Sequence, residues 1–114
     1  MYSRQQIGRI GEAAVIRYAR SLGWVLLARR YRTWEGEIDS IFWNGEEIVF
    51  VEVKTRRHQG SGLPEEQVSA SRADRIYDLA AQWLSVYAET RPWKVQLAAV
   101  RLTSHQARIK FFDL

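Results

Sequence analysis

Residues 49–54 read Val-Phe-Val-Glu-Val-Lys, and together with Ile48 they form the most informative stretch of this 114-residue chain. A near-continuous apolar run of this length is typical of a strand that is covered on both faces. Because alternate residues of a strand point to the same face, Glu52 and Lys54 emerge together at its end. A charged pair in that position indicates a cleft. A solvated sheet edge would show the same spacing, so the spacing alone leaves both interpretations open.

A second acid, Asp39, lies in the preceding stretch Gly36-Glu37-Ile38-Asp39. Between the two stretches, Asn44-Gly45 is the dipeptide that most favours a two-residue type I′ hairpin turn. Such a turn places Asp39 diagonal to Glu52, with their backbones roughly 7–8 Å apart, and puts both on the face of Lys54. The predicted cross-strand pairs are Trp43 with Glu46, Ile41 with Ile48 and Asp39 with Phe50. Two acids and a lysine on one face of an apolar sheet are typical of a site for a divalent cation.

The composition is that of a globular chain with one domain, which we expect to span residues 1–114. Its 46% of hydrophobic and 26% of charged residues place it in the ordinary soluble class. No apolar run approaches the roughly 20 residues that cross a bilayer, and the N-terminus has no apolar signal-peptide core. The absence of cysteine excludes disulfides, thiolate catalysis and thiolate metal sites. We therefore expect a cytoplasmic protein.

The charge balance favours a polyanionic partner. The formal net charge is +4, and all but three of the 17 basic residues are arginine. Guanidinium groups pair well with phosphate oxygens, so nucleic acid is a natural partner. Genome composition and helix propensity remain an adequate explanation for any single arginine, but less so for the two clusters that flank the acidic strands. The candidate nucleic-acid-binding residues in these clusters are Arg30, Arg32, Arg56, Arg57 and His58.

Hydrophobic periodicity predicts an α/β (α+β) fold with seven elements in the order αβββαββ, a mixed central sheet flanked by two helices. Ser3 and Gln6 would form a capping box for the first helix, and Ser71 and Asp74 the capping pair of the second. A basic, glycine-rich loop is expected over residues 56–64. The predicted elements are helix Arg4–Leu22, strands Trp24–Ala28, Ile38–Trp43 and Glu47–Lys54, helix Ser71–Tyr87, and strands Val95–Leu102 and Arg108–Phe112.

Both predicted helices carry apolar stripes at three- and four-residue spacing, which indicate their buried faces. Glu12 lies on the shoulder of the first stripe and, on periodicity alone, is more often solvated than directed into a cleft. Trp34, between the first two strands, is a candidate for a surface contact. The predicted core residues are Ile7, Ile10, Gly11, Ala14, Val15, Tyr18 and Leu22 in the first helix, and Ala73, Ile76, Leu79, Ala80, Trp83, Leu84 and Tyr87 in the second.

Three ordered motifs resemble those of a known family. They are Gly8-Arg9-Ile10-Gly11-Glu12, Gly36-Glu37-Ile38-Asp39 and Val49-Phe50-Val51-Glu52-Val53-Lys54-Thr55-Arg56. The resemblance is to the uncharacterised YraN-like family, usually described as endonuclease-like, and it covers nearly the whole chain. That family is similar to archaeal Holliday junction resolvases and to the wider PD-(D/E)XK nuclease superfamily. The resemblance implies a restriction-endonuclease-like core with the order αβββαβ, with which the periodicity is compatible.

The resemblance also implies catalytic roles for four residues. Asp39 corresponds to the first acid of the family motif, Glu52 to the second and Lys54 to its lysine. Glu12 corresponds to the helix-borne acid that completes the metal site in many members. Asp39, Glu52, the carbonyl of Val53 and Glu12 would then hold Mg²⁺ or Mn²⁺, and the reaction would be hydrolysis of a phosphodiester. The substrate would be nucleic acid, in the first place DNA. Duplex ends, branched junctions, single strands and RNA all fit, and cleavage of junctions would need a homodimer.

Two positions depart from the family pattern. Ser40 stands where members usually carry leucine, and Lys94-Val95-Gln96-Leu97 stands where Arg-Phe-Asp-Val is common. Neither change removes a motif acid, but the second disfavours any function that needs an acid on that strand. Glu37 belongs to the second motif, and we expect a supporting role for it.

The paired acids predict an electrostatic signature. Two carboxylates about 5 Å apart repel each other by roughly 3 kcal/mol at an effective dielectric constant of 20. Without a cation, one of the two should therefore have a raised pKa. Two other functions stay open: a nucleic-acid-binding module on a nuclease fold without turnover, and a structural or partner-binding protein whose acids pair internally with arginines.

Overall fold

The computed structural model of the protein describes residues 2–57 and 69–114. His58 and the part of the predicted basic loop that follows Arg57 lie outside these residues. The elements within them are α1 (Arg4–Ser21), β1 (Val25–Thr33), β2 (Gly36–Trp43), β3 (Ile48–Arg57), α2 (Ala70–Val86), β4 (Trp93–Leu102) and β5 (Ala107–Asp113).

The five strands form one mixed sheet in the spatial order β1-β2-β3-β4-β5. β3 and β4 are parallel, with α2 between them in the chain, and the other neighbouring pairs are antiparallel. The helices cover opposite faces, since α1 and α2 contribute to two separate apolar clusters on the sheet. The predicted mixed α/β architecture, with one sheet and two helices, is confirmed.

The central strand β3 is buried on both faces, as the run of residues 49–54 predicts. Ile48 and Phe50 pack in the cluster that includes α2, whereas Val49 and Val51 pack in the cluster that includes α1. All four side chains are fully buried. Burial of each contributes about 1.5–3 kcal/mol to folding, so this strand anchors both layers of the core.

The start of α1 agrees with the sequence prediction, and the start of α2 does not. The Ser3 hydroxyl accepts a hydrogen bond from the Gln6 amide at 3.1 Å, and the Gln6 side chain accepts one from the Ser3 amide at 2.8 Å, completing the predicted capping box. In α2, the N-cap is Ser69 and not Ser71, because the Ser69 hydroxyl reaches the amide three positions on. Neither helix has the length and hydropathy needed to cross a membrane.

Three aromatic or aliphatic side chains predicted as core lie at the surface. Tyr18 is 40% exposed, Leu22 50% and Tyr87 60%. Tyr18 packs against Phe111 on the edge strand β5, where the sheet ends and cannot cover the whole ring. Leu22 and Tyr87 are the C-cap residues of their helices and extend past the packed surface. Gly11, Ala14 and Val15 of α1 are buried as predicted, and Ile16 and Ala19 are buried as well.

The turn between β2 and β3 is longer than the two-residue hairpin that Asn44-Gly45 predicts. Trp43 pairs with Ile48, so residues 44–47 form the connection. The Asn44 side chain holds this loop by accepting hydrogen bonds from the amides of Glu46 at 2.8 Å and Glu47 at 2.7 Å. An asparagine that bonds to its own loop in this way offers an alternative to the tight turn. The register differs from the predicted one by two residues, so every side chain keeps its predicted face.

β1 extends to Thr33, five residues beyond its predicted end at Ala28. The arginine cluster of residues 29–32 therefore lies within a strand rather than beside one. β1 is an edge strand whose residues alternate between exposed and half-buried, and arginines fit its solvated face.

α1 lies very close to β3 at Gly11. A Cβ atom on Gly11 would lie 1.8 Å from the Thr55 hydroxyl oxygen and 2.9 Å from the Thr55 Cβ. Among the described residues outside α1, no heavy atom lies within 4 Å of the corresponding position on Gly8, one turn earlier. Only glycine therefore allows this contact, which fixes the depth at which the next residue, Glu12, sits above the sheet.

We predict that Gly11→Ala lowers the free energy of unfolding by about 1–3 kcal/mol, because the methyl group forces α1 away from Thr55. Gly8→Ala is the matched control and should raise it by about 0.5–1 kcal/mol through helix propensity alone. Urea unfolding followed by tryptophan fluorescence measures both variants. Equal stabilisation by the two substitutions would contradict the close contact.

Candidate functional site

The site lies where the neighbouring strands β2 and β3 separate. Their last pair is Ser40 with Val51, after which β2 continues beside β1 and β3 continues beside β4. Asp39 and Glu52 are the next residues on the two strands, so they face each other across the opening instead of lying diagonally. The Asp39 carboxylate accepts a hydrogen bond from the Val53 amide at 2.7 Å. The Asp39 side chain thereby takes the place of the β2 backbone carbonyl that would accept this hydrogen bond if the two strands continued to pair.

Asp39 and Glu52 form a buried pair of acids, 9% and 3% exposed. Burial raises the pKa of Asp39 from 3.8 to about 9, and the hydrogen bond and repulsion from Glu52 act in the same direction. The Val53 amide lowers this pKa, and repulsion from Glu12 adds a small increase. Without a cation, the Asp39 carboxyl group is therefore protonated at neutral pH and hydrogen-bonded to Glu52. The predicted raised pKa of one acid is confirmed.

Glu52 is paired with an arginine that the sequence analysis did not single out. Arg72, in the first turn of α2, donates from Nε to Glu52 Oε2 at 2.6 Å, and its Nη2 contacts the same oxygen. The Arg72 side chain is 46% exposed. A half-exposed guanidinium thus balances the charge of an acid that is almost completely buried.

Glu12 also lies at this site, and it too is paired. Its side chain is 16% exposed, so the solvated position that periodicity favoured is wrong. Arg30 Nε donates to Glu12 Oε1 at 3.1 Å. Arg30 lies opposite Asp39 on β1 and has φ 51°, a left-handed conformation that costs a non-glycine residue about 1–3 kcal/mol. The ion pair with Glu12 offsets part of this cost.

An open cleft of about 750 Å³ surrounds the acids. Lys54 lines it, on the strand face it shares with Glu52, and has no ion pair among the described residues. The cleft is lined by two groups of charged residues: the acids Glu12, Glu37, Asp39 and Glu52, and the cations Arg4, Lys54, Arg56, Arg57 and Arg72. Buried acids with cations around them can hold a cation and a phosphate side by side.

The candidate nucleic-acid-binding residues fall into two groups. Arg56 and Arg57 line the cleft. Arg32 pairs with Glu37 at 2.8 Å across the β1–β2 hairpin, and Arg30 is turned towards Glu12. His58 lies outside the described residues.

Trp34 lies in the turn between β1 and β2 and is 94% exposed. It lines a shallow depression with Glu35, Asp74, Arg75 and Asp78, apart from the cleft. Three acids and one arginine surround the indole, so this surface has the opposite charge to the rim of the cleft. It is unsuited to phosphate groups.

Arg4 and Arg72 are the cleft residues that sequence reasoning missed. Both lie in the first turn of a helix, and both helices begin at the cleft. A basic residue at a helix start is unfavourable to the helix dipole, and this is the signal that could have drawn attention to them.

The positions that depart from the family pattern lie away from the cleft. Gln96 is 8% exposed and donates from Nε2 to Asp113 at 2.9 Å, joining β4 to β5. Ser40 is 2% exposed and pairs with Val51, on the α1 side of the sheet. Neither residue lines the cleft around Asp39 and Glu52.

The arrangement offers oxygen ligands for a hard cation. Asp39 and Glu52 supply two carboxylates, and the Val53 carbonyl points to the same side of β3 as its amide, which binds Asp39. Among the described residues, no three acidic or histidine side chains converge in a ready-made metal site. Magnesium needs fewer protein ligands, because it is commonly bound by one or two carboxylates and keeps several water ligands.

Fold and site together define a mixed α/β domain with a buried pair of acids in an arginine-lined cleft. The chain belongs to the uncharacterised protein family UPF0102, which matches residues 11–112. It is 40% identical over 89 residues to a UPF0102 protein of Acidothermus cellulolyticus, covering 78% of this chain and 67% of that relative. It is 35% identical over 113 residues to one of Chloroflexus aurantiacus, covering 96% and 89%. The resemblance of the three motifs to those of the YraN-like family is thus confirmed.

The raised pKa of Asp39 predicts how stability depends on pH in the absence of divalent cations. The folded protein keeps the Asp39 proton up to about pH 9, whereas the unfolded chain releases it near 3.8. The free energy of unfolding should therefore fall as pH rises between these values, by up to about 1.4 kcal/mol per pH unit from this group. Asp39→Asn stays neutral and should lose this dependence. Urea unfolding of both proteins in EDTA from pH 5 to 9 tests it, and parallel pH profiles would contradict the shifted pKa.

Proposed function

We propose that this protein is a Mg²⁺- or Mn²⁺-dependent nuclease with a restriction-endonuclease-like fold that hydrolyses phosphodiester bonds of nucleic acid. The observation that carries the proposal is the buried Asp39–Glu52 pair, with Lys54 beside it and arginines around the cleft. Burying two acids together costs free energy of folding, and the raised pKa of Asp39 reflects this cost. A fold that needed only stability would replace them with apolar side chains, so the pair indicates a binding task.

The donor set fits the proposed cation. Carboxylate and carbonyl oxygens are hard ligands, which suit Mg²⁺ and Mn²⁺. Asp39, Glu52 and the Val53 carbonyl would hold the ion, and Glu12 would join them directly or through water. A bound divalent cation supplies a positive charge next to the phosphate and lowers the pKa of a water molecule.

The remaining cleft residues have roles that follow from their chemistry. Lys54 would donate an N–H to the phosphate oxygen on which negative charge builds up. Arg56 and Arg57 would contact phosphates on either side of the reacting one, which fixes the position of the strand without reading its sequence. Glu37, held by Arg32, would support the hairpin that carries Asp39. The substrate would be DNA, and cleavage of branched DNA at a junction would need a homodimer.

One observation favours a second candidate, a structural or partner-binding protein. Glu12, Glu37 and Glu52 each pair with an arginine, as expected for acids that serve only the fold. Asp39 and Lys54 do not follow this pattern, since neither has an ion pair in the described part of the chain. The proposed nuclease accounts for both residues, whereas the second candidate explains Asp39 only as the acceptor for the Val53 amide and leaves Lys54 without a role.

Cleavage assays with a Lys54→Ala variant test the proposal. The wild type should cut labelled duplex, single-stranded or branched DNA, or RNA, with Mg²⁺ or Mn²⁺, and should not do so in EDTA. Lys54→Ala should lower the rate by about 100-fold or more, with nucleic-acid affinity in Ca²⁺ almost unchanged. Lys94→Ala is the matched control, because Lys94 pairs with Glu47 at the opposite end of the sheet. A wild type that is inert on every substrate would reject the nuclease.

Salt titration tests the phosphate contacts separately. If Arg57 contacts one phosphate, Arg57→Gln should reduce the slope of log affinity against log salt concentration by about 1. Arg91→Gln provides the control, since Arg91 pairs with Glu89 before the start of β4, far from the cleft. Fluorescence anisotropy with a labelled oligonucleotide measures both slopes. Equal slopes for Arg57→Gln and the wild type would exclude this contact.

A further inference from the structure

The ion pair between Glu52 and Arg72 is asymmetric. Glu52 is fixed within the sheet and 3% exposed, whereas the Arg72 side chain is 46% exposed at the edge of the cleft. The backbone of Arg72 is held in place, because its amide donates to the Ser69 hydroxyl at the start of α2. The guanidinium can therefore leave Glu52 by rotating about side-chain bonds, without any movement of the helix.

Arg72 occupies one of the two Glu52 oxygens that could bind a metal ion. Its Nε and Nη2 both contact Oε2 of Glu52. A divalent cation at that oxygen would face the positive guanidinium at close range, and like charges repel strongly in a partly buried site. The ion and the arginine therefore compete for Glu52.

We propose that Arg72 exchanges partners during the reaction cycle: it covers Glu52 while no ion is bound, and it binds a nucleic-acid phosphate once the ion has displaced it. This inference rests on the proposed nuclease function. Arg72 lines the same cleft as Lys54 and Arg56, so the displaced guanidinium stays within the space that the phosphates would enter. Its planar fork of N–H groups matches two phosphate oxygens. Arg72 is then a substrate-binding residue that also tunes the affinity for the ion.

Arg72→Gln should have opposite effects on the two ligands. Without the competing guanidinium, Mn²⁺ should bind about tenfold more tightly in calorimetry, the usual worth of a hydrogen bond to a charged group. Binding of a labelled oligonucleotide in Ca²⁺, followed by fluorescence anisotropy, should weaken several-fold. A merely structural role for Arg72 would weaken both.

Arg75→Gln is the matched control. Arg75 lies one turn further along α2, is exposed, and has no ion pair in the described ranges. The substitution removes the same charge from the same helix, so both affinities should stay close to those of the wild type. A tenfold gain in Mn²⁺ affinity here as well would mean that net charge alone is responsible, and would overturn the inference.

Arg72→Lys is a second test variant in case Arg72→Gln does not fold, because lysine keeps a positive charge near Glu52. Its Mn²⁺ affinity should lie between those of the wild type and Arg72→Gln. If the wild type binds Mn²⁺ and neither substitution at Arg72 strengthens binding, the partner exchange is wrong and the proposed function stands. If neither the wild type nor Arg72→Gln binds Mn²⁺, both proposals fail.

Discussion

The hydrogen bond from the Val53 amide to the Asp39 carboxylate is the contact on which the site depends. It lies where β2 and β3 cease to pair, and it satisfies an amide that the parting strands would otherwise leave without a partner. Because the carboxylate must stay at this position to do so, it is held beside Glu52 at the cost of a raised pKa. The structural and the proposed chemical role of Asp39 thus have the same origin.

The rest of the cleft is assembled around that point by elements that are distant in the chain. Gly11 lets α1 approach β3 closely, and the next residue, Glu12, lines the cleft where β2 and β3 separate. β1 supplies Arg30 to Glu12, and α2 supplies Arg72 to Glu52. With Glu37 paired to Arg32 of β1, three of the four acids are paired with cations from other elements, which keeps a site with four acids compatible with a stable fold.

Sequence patterns predict the structural features that depend on the spacing of residues close together in the chain. The alternation of residues 49–54 predicts a doubly covered strand with Glu52 and Lys54 on one face, and the acid spacing predicts one raised pKa. The predicted pairing register of β2 with β3 is wrong by two residues, because the Asn44 side chain stabilises a longer loop than the Asn44-Gly45 dipeptide favours. The pairing of Arg72 with Glu52, 20 residues apart, leaves no periodic signal. Such contacts depend on how α2 docks on the sheet, which local spacing does not encode.

The central claim is that Asp39 and Glu52 together hold a divalent cation, and anomalous scattering from a crystal soaked in Mn²⁺ tests it most directly. The account predicts one peak between the two carboxylates, adjacent to the Val53 carbonyl, that is absent from crystals of Asp39→Ala. The claim would be contradicted by a crystal in which Arg72 still contacts Glu52 and no manganese lies between Asp39 and Glu52, with or without a bound oligonucleotide.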